Sequence, residues 1–244
     1  MAVAGNKSLK GIVYRLTPVK EKDAMVSCFG EEGLFSFYAY GVMNPSASNY
    51  GACQVSSESE FFLVESTQGA YRLKEAKLLD SYHPEDDLSA MLGLSFLIEL
   101  VSRFLAEEDA APLFPYFKQS LIALKEGKGA KTVCTIFLSQ LMSVSGYGLN
   151  LDECVLCGKK SDIVSVSNIQ GGYLCRSCAE EEGEAKMDVA TLKAYRIIAK
   201  TPSDKIGSFE LELKTINPIL SNLSHLLEES TGAKIKSLQT LLSY

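Results

Sequence analysis

The chain has 244 residues, of which 46% are hydrophobic, and it carries a formal net charge of -6 with a pI of about 5.1. This length and apolar content allow one large domain or two smaller ones. The negative charge excludes a molecule-wide field that attracts nucleic acid, so any such binding must come from a local basic patch.

The longest uncharged stretch with helical character covers residues 132–151. Serine, glutamine, glycine and asparagine interrupt it, which indicates a buried helix and its exit loop rather than a membrane span. The opening residues show no signal-peptide pattern. We therefore expect a cytoplasmic protein.

From Lys10 to about residue 79 the hydrophobic pattern has the period of two that is typical of strands. Five strands are predicted, at residues 11–17, 24–29, 34–40, 60–66 and 70–79. Turns at residues 31–33 and 67–69 connect two hairpins, and a loop over residues 41–57 joins the third strand to the fourth. Five short strands in this span suit an OB-type β-barrel, so an OB-fold domain is predicted over residues 1–83.

After His83 the hydrophobic period changes to 3.6, which is typical of helices. A first helix is predicted over residues 84–106. A second follows Pro112 and ends at Gly127 or Gly129, and a third runs from about Val133 to Gly146 or Gly148. Asp188 is the predicted N-cap of a helix over about residues 189–198, and apolar residues predict more helix at 219–227 and 235–242. The fold class is therefore α+β, with a helical domain over residues 84–244 that follows the barrel.

Two CxxC pairs interrupt this helical domain, at Cys154 and Cys157 and at Cys175 and Cys178. Their separation predicts a zinc ribbon at about residues 152–180, in which two short turns direct four thiolates at one structural Zn²⁺ ion per chain. Four sulfur ligands leave no open position for catalysis. A disulfide set would need an oxidising compartment, and a redox CxxC would need one exposed, activated pair, while loss of the metal in this member is a third alternative.

The other three cysteines, Cys28, Cys53 and Cys134, are predicted to be buried free thiols. The two histidines, His83 and His225, lie in no recognisable triad or metal motif, and no phosphate-cradling glycine loop is present. We therefore expect a protein that is not an enzyme.

Short sequence motifs occur along the whole chain, in the predicted barrel, in the helical domain and around the inserted cysteine pairs. They are Gly11-Ile12-Val13, Glu32-Gly33-Leu34, Gly41 and Pro45 in the barrel, Leu97-Ile98-Glu99-Leu100-Val101 in the first helix, Gly146-Tyr147 and residues 151–158 and 171–178 around the cysteines, and Gly232 to Ser237 near the C-terminus. With these motifs the chain resembles the RecO family of bacterial recombination mediators.

The resemblance implies a non-enzymatic, nucleoid-associated protein of DNA repair and recombination that responds to DNA damage. It implies that the protein binds single-stranded DNA, RecR and the acidic C-terminal tail of single-stranded-DNA-binding protein, anneals strands and helps to load RecA. OB barrels hold single strands by stacking bases on aromatic side chains within a basic groove. The aromatic residues of the predicted strands are Phe35, Phe37, Tyr38, Tyr40, Phe61, Phe62 and Tyr71.

The candidate DNA-binding residues are the basic residues of the barrel and of the ribbon. They are Lys10, Arg15, Lys20 and Lys22 on the first strand and its turn, Arg72 and Lys74 on the fifth strand, and Lys159, Lys160 and Arg176 on the ribbon. If the first and fifth strands run close together at the barrel closure, the barrel residues form one surface. Lys77 on the fifth strand and Lys118, Lys125, Lys128 and Lys131 near the second helix are further basic residues.

Residues 23–71 contain no Lys, Arg or His, although the family's loop after the third strand is usually rich in arginine and lysine. Each lost phosphate contact removes a counterion-release contribution, so barrel-mediated DNA binding should be weak and sensitive to salt. The alternative function is a zinc-stabilised protein–protein adaptor of the same fold with weak or no DNA binding.

Overall fold

The computed structural model describes residues 6–65 and 69–244 and shows an N-terminal sheet followed by helices, which confirms the α+β class. The strands of the first sheet are β1 (Asn6–Pro18), β2 (Ala24–Gly30), β3 (Gly33–Ala39), β4 (Ser57–Glu65) and β5 (Tyr71–Ser81). All five match predicted strands, but β1 begins five residues earlier than predicted and β4 three residues earlier. The predicted turn at 67–69 includes residues 67 and 68, which lie outside the described residues.

The strand order is β1-β2-β3-β5-β4, and β1 also pairs with β4. Closure between β3 and β5 rests on one parallel pair, Tyr38 with Arg72. β4 lies between β1 and β5. The expectation that the first and fifth strands meet at the closure is therefore wrong, because β3 is the neighbour that closes on β5.

The loop over residues 41–57 covers one end of the barrel. Val42, Ala52 and Cys53 are buried, and the last two lie at a 3₁₀ turn, Gly51–Cys53. The side-chain Oδ1 of Asn49 accepts a hydrogen bond of 3.0 Å from the backbone N–H of Ala76 and so satisfies the free edge of β5. The loop that lacks basic residues thus packs against the barrel.

The helices and the second sheet follow in chain order. They are α1 (Leu88–Phe104), α2 (Ala110–Lys125), α3 (Ala130–Val144), β6 (Ile163–Ser167), β7 (Gly172–Cys175), α4 (Arg176–Glu181), α5 (Val189–Lys200), α6 (Leu213–Thr231) and α7 (Leu238–Ser243), with a 3₁₀ turn at Ser203–Lys205. Among the described residues, no helix combines the length and the apolar content that crossing a membrane requires.

Aspartate caps begin two of the helices, and a proline lies at the start of a third. Asp87 accepts a hydrogen bond from the N–H of Ala90 and begins α1, and Asp188 accepts one from the N–H of Thr191 and begins α5 as predicted. Pro112 lies in the first turn of α2, where its missing N–H costs no helical hydrogen bond.

The apolar residues form two main cores. Val13, Val26, Phe37 and Phe61 belong to the barrel interior. The second core joins the helices, and it includes outward-facing barrel residues, among them Phe29. The helices therefore pack directly on the barrel, while the division of the chain into two domains near residue 83 stays a prediction.

Candidate metal centre and nucleic-acid surface

The four ribbon cysteines converge on one point. Their Sγ atoms all lie within 4.8 Å of one another, and the Sγ atoms of Cys157 and Cys175 are 3.6 Å apart. A tetrahedral zinc site with Zn–S bonds of 2.3 Å places its sulfurs about 3.8 Å apart. The predicted ligand set of Cys154, Cys157, Cys175 and Cys178 is thus brought together with the spacing that such a site needs, and it could hold a metal ion.

Local backbone geometry forms both cysteine turns. After the first pair, the N–H of Gly158 donates to the carbonyl oxygen of Cys154 at 2.8 Å, and Gly158 has a φ of 72°. A side chain at this position would be strained, which accounts for the glycine. The second pair lies at the end of β7 and in the first turn of α4, so strand and helix direct its two sulfurs towards the first pair.

The environment shifts the thiol pKa values in opposite directions. The Ser177 hydroxyl, 3.3 Å from the Sγ of Cys175, lowers the pKa of the Cys175 thiol to about 6. Burial raises the pKa of Cys178 to about 12. A divalent cation would hold all four groups as thiolates, since coordination deprotonates a thiol outright.

Polar contacts fasten the ribbon, residues 152–180, to α5. Arg196 of α5 donates to the carbonyl oxygen of Leu151 and to the carboxylate of Asp152, the latter at 2.7 Å, and Lys200 reaches the same carboxylate at 2.8 Å. The hydroxyl of Tyr173 donates to the carbonyl oxygen of Leu192. Order in the ribbon is therefore coupled to the helix that supports it.

The barrel cations lie on its outer surface, where cross-strand neighbours share a face. Arg15 pairs with Ser27 of β2, which pairs with Ser36 of β3, and Arg72 pairs with Tyr38. These pairings place Arg15 and Arg72 on either side of the outer surface formed by β2 and β3. Lys20 and Lys22 lie in the β1–β2 loop at the end of this surface.

Two tyrosines stand on the same surface. Tyr40 is 60% exposed, and its ring packs edge-on against that of Tyr38, with a centroid distance of 4.7 Å. We call the surface formed by Arg15, Tyr38, Tyr40 and Arg72 the tyrosine face. Of the other predicted aromatics, Phe35, Phe37, Phe61 and Tyr71 belong to the barrel core, whereas Phe62 points outward.

Asp23 fixes the orientation of this face, a role that the sequence analysis missed. Its carboxylate accepts hydrogen bonds from the N–H of Gly41 at 2.9 Å and from the hydroxyl of Tyr38 at 2.7 Å. These bonds lower the pKa of Asp23, and the bond from Tyr38 raises the pKa of that tyrosine to about 12. Asp23 is therefore ionised and Tyr38 protonated at neutral pH, which maintains the hydrogen bond between them. We call Asp23 with its bonds to Tyr38 and Gly41 the Asp23 clamp.

Among the residues that the structure describes, most of the barrel cations form no salt bridge, unlike two of the three ribbon cations. Within residues 6–65 and 69–244, no salt bridge is formed by any of seven exposed barrel cations, which are Lys10, Arg15, Lys20, Lys22, Arg72, Lys74 and Lys77. On the ribbon, Lys159 is exposed, but Lys160 lies 3.9 Å from Glu153 and Arg176 lies 3.3 Å from Asp162.

The lysines near the second helix serve other contacts. Lys118 pairs with Glu58 at 2.7 Å and Lys125 with Asp80 at 2.9 Å, so both tie α2 to the barrel. Lys131 is buried and donates to the carbonyl oxygen of Leu242. Seven of the barrel cations are therefore free of salt bridges in the described residues, whereas Lys7 of β1 pairs with Glu32.

Family models match nearly the whole chain. The model described as "Recombination protein O N terminal" matches residues 3–82, and the model described as "Recombination protein O C terminal" matches residues 85–239. The chain belongs to the RecO family. This confirms the resemblance carried by the barrel and cysteine motifs.

Curated relatives of the RecO family align over most of their length. A protein named DNA repair protein RecO from Bacillus pumilus is 26% identical over 232 residues, which cover 93% of this chain and 90% of the relative. A protein of the same name from Syntrophomonas wolfei is 28% identical over 223 residues, covering 90% and 87%. One from Halalkalibacterium halodurans is 23% identical over 232 residues, covering 93% and 91%.

Proposed function

We propose that the protein is a DNA repair and homologous recombination mediator of the RecF-pathway type that binds single-stranded DNA. The observation that carries this proposal is the tyrosine face, where the exposed ring of Tyr40 packs on Tyr38 on the same surface as Arg15 and Arg72, two arginines that form no salt bridge among the described residues. OB folds use the surface of their second and third strands and the loop between their first and second strands to bind oligonucleotides. Base stacking on aromatics combined with phosphate contacts binds single strands without sequence preference.

On the tyrosine face, the aromatic rings bind the bases and the cations bind the phosphates. Tyr40 offers its exposed ring to a base, and the Asp23 clamp holds Tyr38 in place as its support. Arg15 and Arg72 flank the rings and contact phosphates, and Lys20 and Lys22 extend the contact into the β1–β2 loop. Because the packed loop at residues 41–57 adds no cation, binding is weak and salt-sensitive.

In this proposal the cysteine cluster holds one structural Zn²⁺ ion. The support is the spacing of the sulfurs and the set of four thiols, which suits tetrahedral zinc and leaves no position for a substrate. The ion orders the ribbon, and the ribbon in turn is fastened to α5. Its role is mechanical, and the protein acts by binding rather than by catalysis.

Family membership supports the partners that complete this function. These are RecR, the C-terminal tail of single-stranded-DNA-binding protein and, indirectly, RecA, with strand annealing and assistance in RecA loading as the outcome, in the cytoplasm at the nucleoid. A cleft of about 380 Å³ between α3, α5, α6 and residues 148–152 is the candidate site for the tail, because Met142, Leu149 and Leu223 give it apolar walls. Lys200 at its edge is paired with Asp152, so a carboxylate of the tail would have to take the place of Asp152.

A second function, a zinc-stabilised protein–protein adaptor with weak or no DNA binding, is favoured by one observation. The chain has a net charge of -6, and residues 23–71 contain no basic side chain. In this function the chain recruits protein partners, and DNA binds only to the complex that the chain forms with RecR.

Neutralising the two arginines of the tyrosine face tests the proposal. In the variant Arg15→Gln/Arg72→Gln, affinity for a fluorescent single-stranded oligonucleotide should fall at least about tenfold at low salt. The slope of log K against log salt concentration should become shallower by about 1.4, since each lost phosphate contact on a single strand removes about 0.7. Fluorescence anisotropy across a salt series, with and without RecR, measures both quantities.

The matched control is Lys160→Gln/Arg176→Gln, which removes two ribbon cations that already face carboxylates. Its affinity and salt slope should equal those of the unsubstituted protein. If the unsubstituted protein binds DNA only when RecR is present, this chain has no DNA site of its own. That result would contradict the mediator proposal and support the adaptor function.

A further inference from the structure

The outer surface of β1, β4 and β5 carries an exposed aromatic ring. Phe62 is 38% exposed, whereas its neighbours in sequence on the inner face, Phe61 and Leu63, are buried. Ser8 of β1 and Glu75 of β5 pair with Phe62 on either side, and a cleft of about 270 Å³ opens beside the ring. Part of the ring is therefore open to solvent on a strand that has neighbours on both sides.

Three lysines lie beyond the immediate neighbours of this ring, which are Ser8, Glu75 and Glu60. Lys10 and Lys77 lie in the next row of cross-strand pairs, on either side of Glu60, and Lys74 borders the cleft. All three lysines are exposed, and in the described part of the chain none forms a salt bridge. Glu60 accepts a hydrogen bond from the hydroxyl of Ser8 at 3.0 Å. We call the surface formed by Lys10, Phe62, Lys74 and Lys77 the Phe62 face.

The Phe62 face continues into the tyrosine face through the barrel closure. Arg72 lies two residues before Lys74 on β5 and pairs with Tyr38 of β3. With strands about 4.8 Å apart and a rise of about 3.3 Å per residue, Phe62 and Tyr38 are separated by roughly 12 Å along the surface. A few nucleotides cover this distance, well within the 4 to 16 that one OB fold accommodates.

We infer that Phe62 is a second base-stacking residue on one continuous DNA path. A single strand held by Tyr38 and Tyr40 crosses the closure at Arg72 and runs over the Phe62 face, where a base stacks on the ring and Lys10, Lys74 and Lys77 contact phosphates. This inference rests on the proposed DNA binding and extends its site. The face carries Glu60 and Glu75 as well as the three lysines, so a ligand gains from the ring as much as from the charge. A single ring with lysines within reach suits stacked bases and their phosphates, whereas a protein partner needs a wider apolar patch.

The absence of tryptophan from the sequence gives a direct test. Each of the variants Phe62→Trp, Tyr40→Trp and Val189→Trp has a single tryptophan, and the last is the control, because Val189 is 65% exposed at the start of α5. Each variant is titrated with oligothymidylate of about 20 nucleotides. We expect quenching of the tryptophan fluorescence at positions 62 and 40, where bases stack, and none at position 189.

Affinity gives a second readout. Phe62→Ala should weaken binding of the 20-nucleotide strand about tenfold, within the range found for loss of one stacked base, and should leave the far-UV circular dichroism unchanged. Phe62→Tyr should restore the affinity, because it keeps the ring.

The outcomes separate this inference from the function on which it rests. Quenching at position 40 but not at position 62 overturns the inference and leaves the proposed function intact. No quenching at either position, together with no binding, overturns both. Quenching at position 62 by an acidic peptide but not by oligothymidylate assigns the Phe62 face to a protein partner and also overturns the inference.

Discussion

Replacing Cys175 with serine should release the proposed Zn²⁺ ion and unfold the ribbon. Cys175 is fully buried, its Sγ lies 3.6 Å from that of Cys157, and a serine hydroxyl is a far weaker zinc ligand than a thiolate. In small zinc domains the apparent metal-binding free energy is about 10–16 kcal/mol, and this energy is the folding energy of the domain. Loss of one ligand should therefore cost the ribbon most of its stability.

Metal analysis after desalting measures this effect directly. The unsubstituted protein should retain one equivalent of zinc per chain, and Cys175→Ser should retain almost none. Limited proteolysis should then cut the variant within residues 152–180. Because protons compete with the metal for the thiolates, zinc should also leave the unsubstituted protein as the pH falls.

Cys134→Ser is the matched control for this experiment. Cys134 is also fully buried, but it lies in the helical core, and its Sγ is 3.5 Å from the carbonyl oxygen of Gly93, a contact that a hydroxyl can keep. This variant should hold a full equivalent of zinc. A full equivalent in Cys175→Ser would instead contradict the assignment of four thiolate ligands.

The sequence predicted the cluster of four cysteines well because its determinants are local. Each CxxC pair closes within one turn, and the φ of 72° at Gly158 follows from the turn itself. The N-cap at Asp188 was predictable for the same reason, since its carboxylate bonds the N–H three residues later. Features fixed by short separations along the chain can be derived from residue order alone.

The nucleic-acid surface was only partly predictable because it depends on pairing between distant strands. Period-two alternation shows that Phe61 and Phe62 point to opposite sides, but only the sheet decides which ring is buried. The neighbour of Arg72 across the closure is Tyr38, more than 30 positions earlier, and no local pattern indicates this contact. The Asp23 clamp joins a turn, a strand and a loop, and it has no sequence signal of its own.

The loop over residues 41–57 shows how composition and structure combine. Its lack of basic residues predicted weaker DNA binding, and that expectation stays open to the salt titration. The structure adds a physical role for the same residues, since Val42 and Cys53 fill the end of the barrel and Asn49 satisfies the edge of β5. A loop packed in this way is held by the barrel and contributes stability.

Phe29→Ala should destabilise the protein by about 3–5 kcal/mol, the usual cost of emptying a buried phenylalanine site. Phe29 belongs to β2, yet its fully buried ring lies 5.3 Å from those of Phe114 and Phe117 in α2. The cavity would therefore open between the barrel and the helices. Urea unfolding followed by circular dichroism should give a lower midpoint, with barrel and helices unfolding in separate transitions.

Two further phenylalanines serve as references for this measurement. Phe62→Ala changes a partly exposed ring and should cost less than about 0.5 kcal/mol, as is usual at surfaces. Phe37→Ala empties a site inside the barrel and should cost as much as Phe29→Ala without separating the transitions. If Phe29→Ala proved no more costly than Phe62→Ala, the contact between barrel and helices would not be a cohesive core.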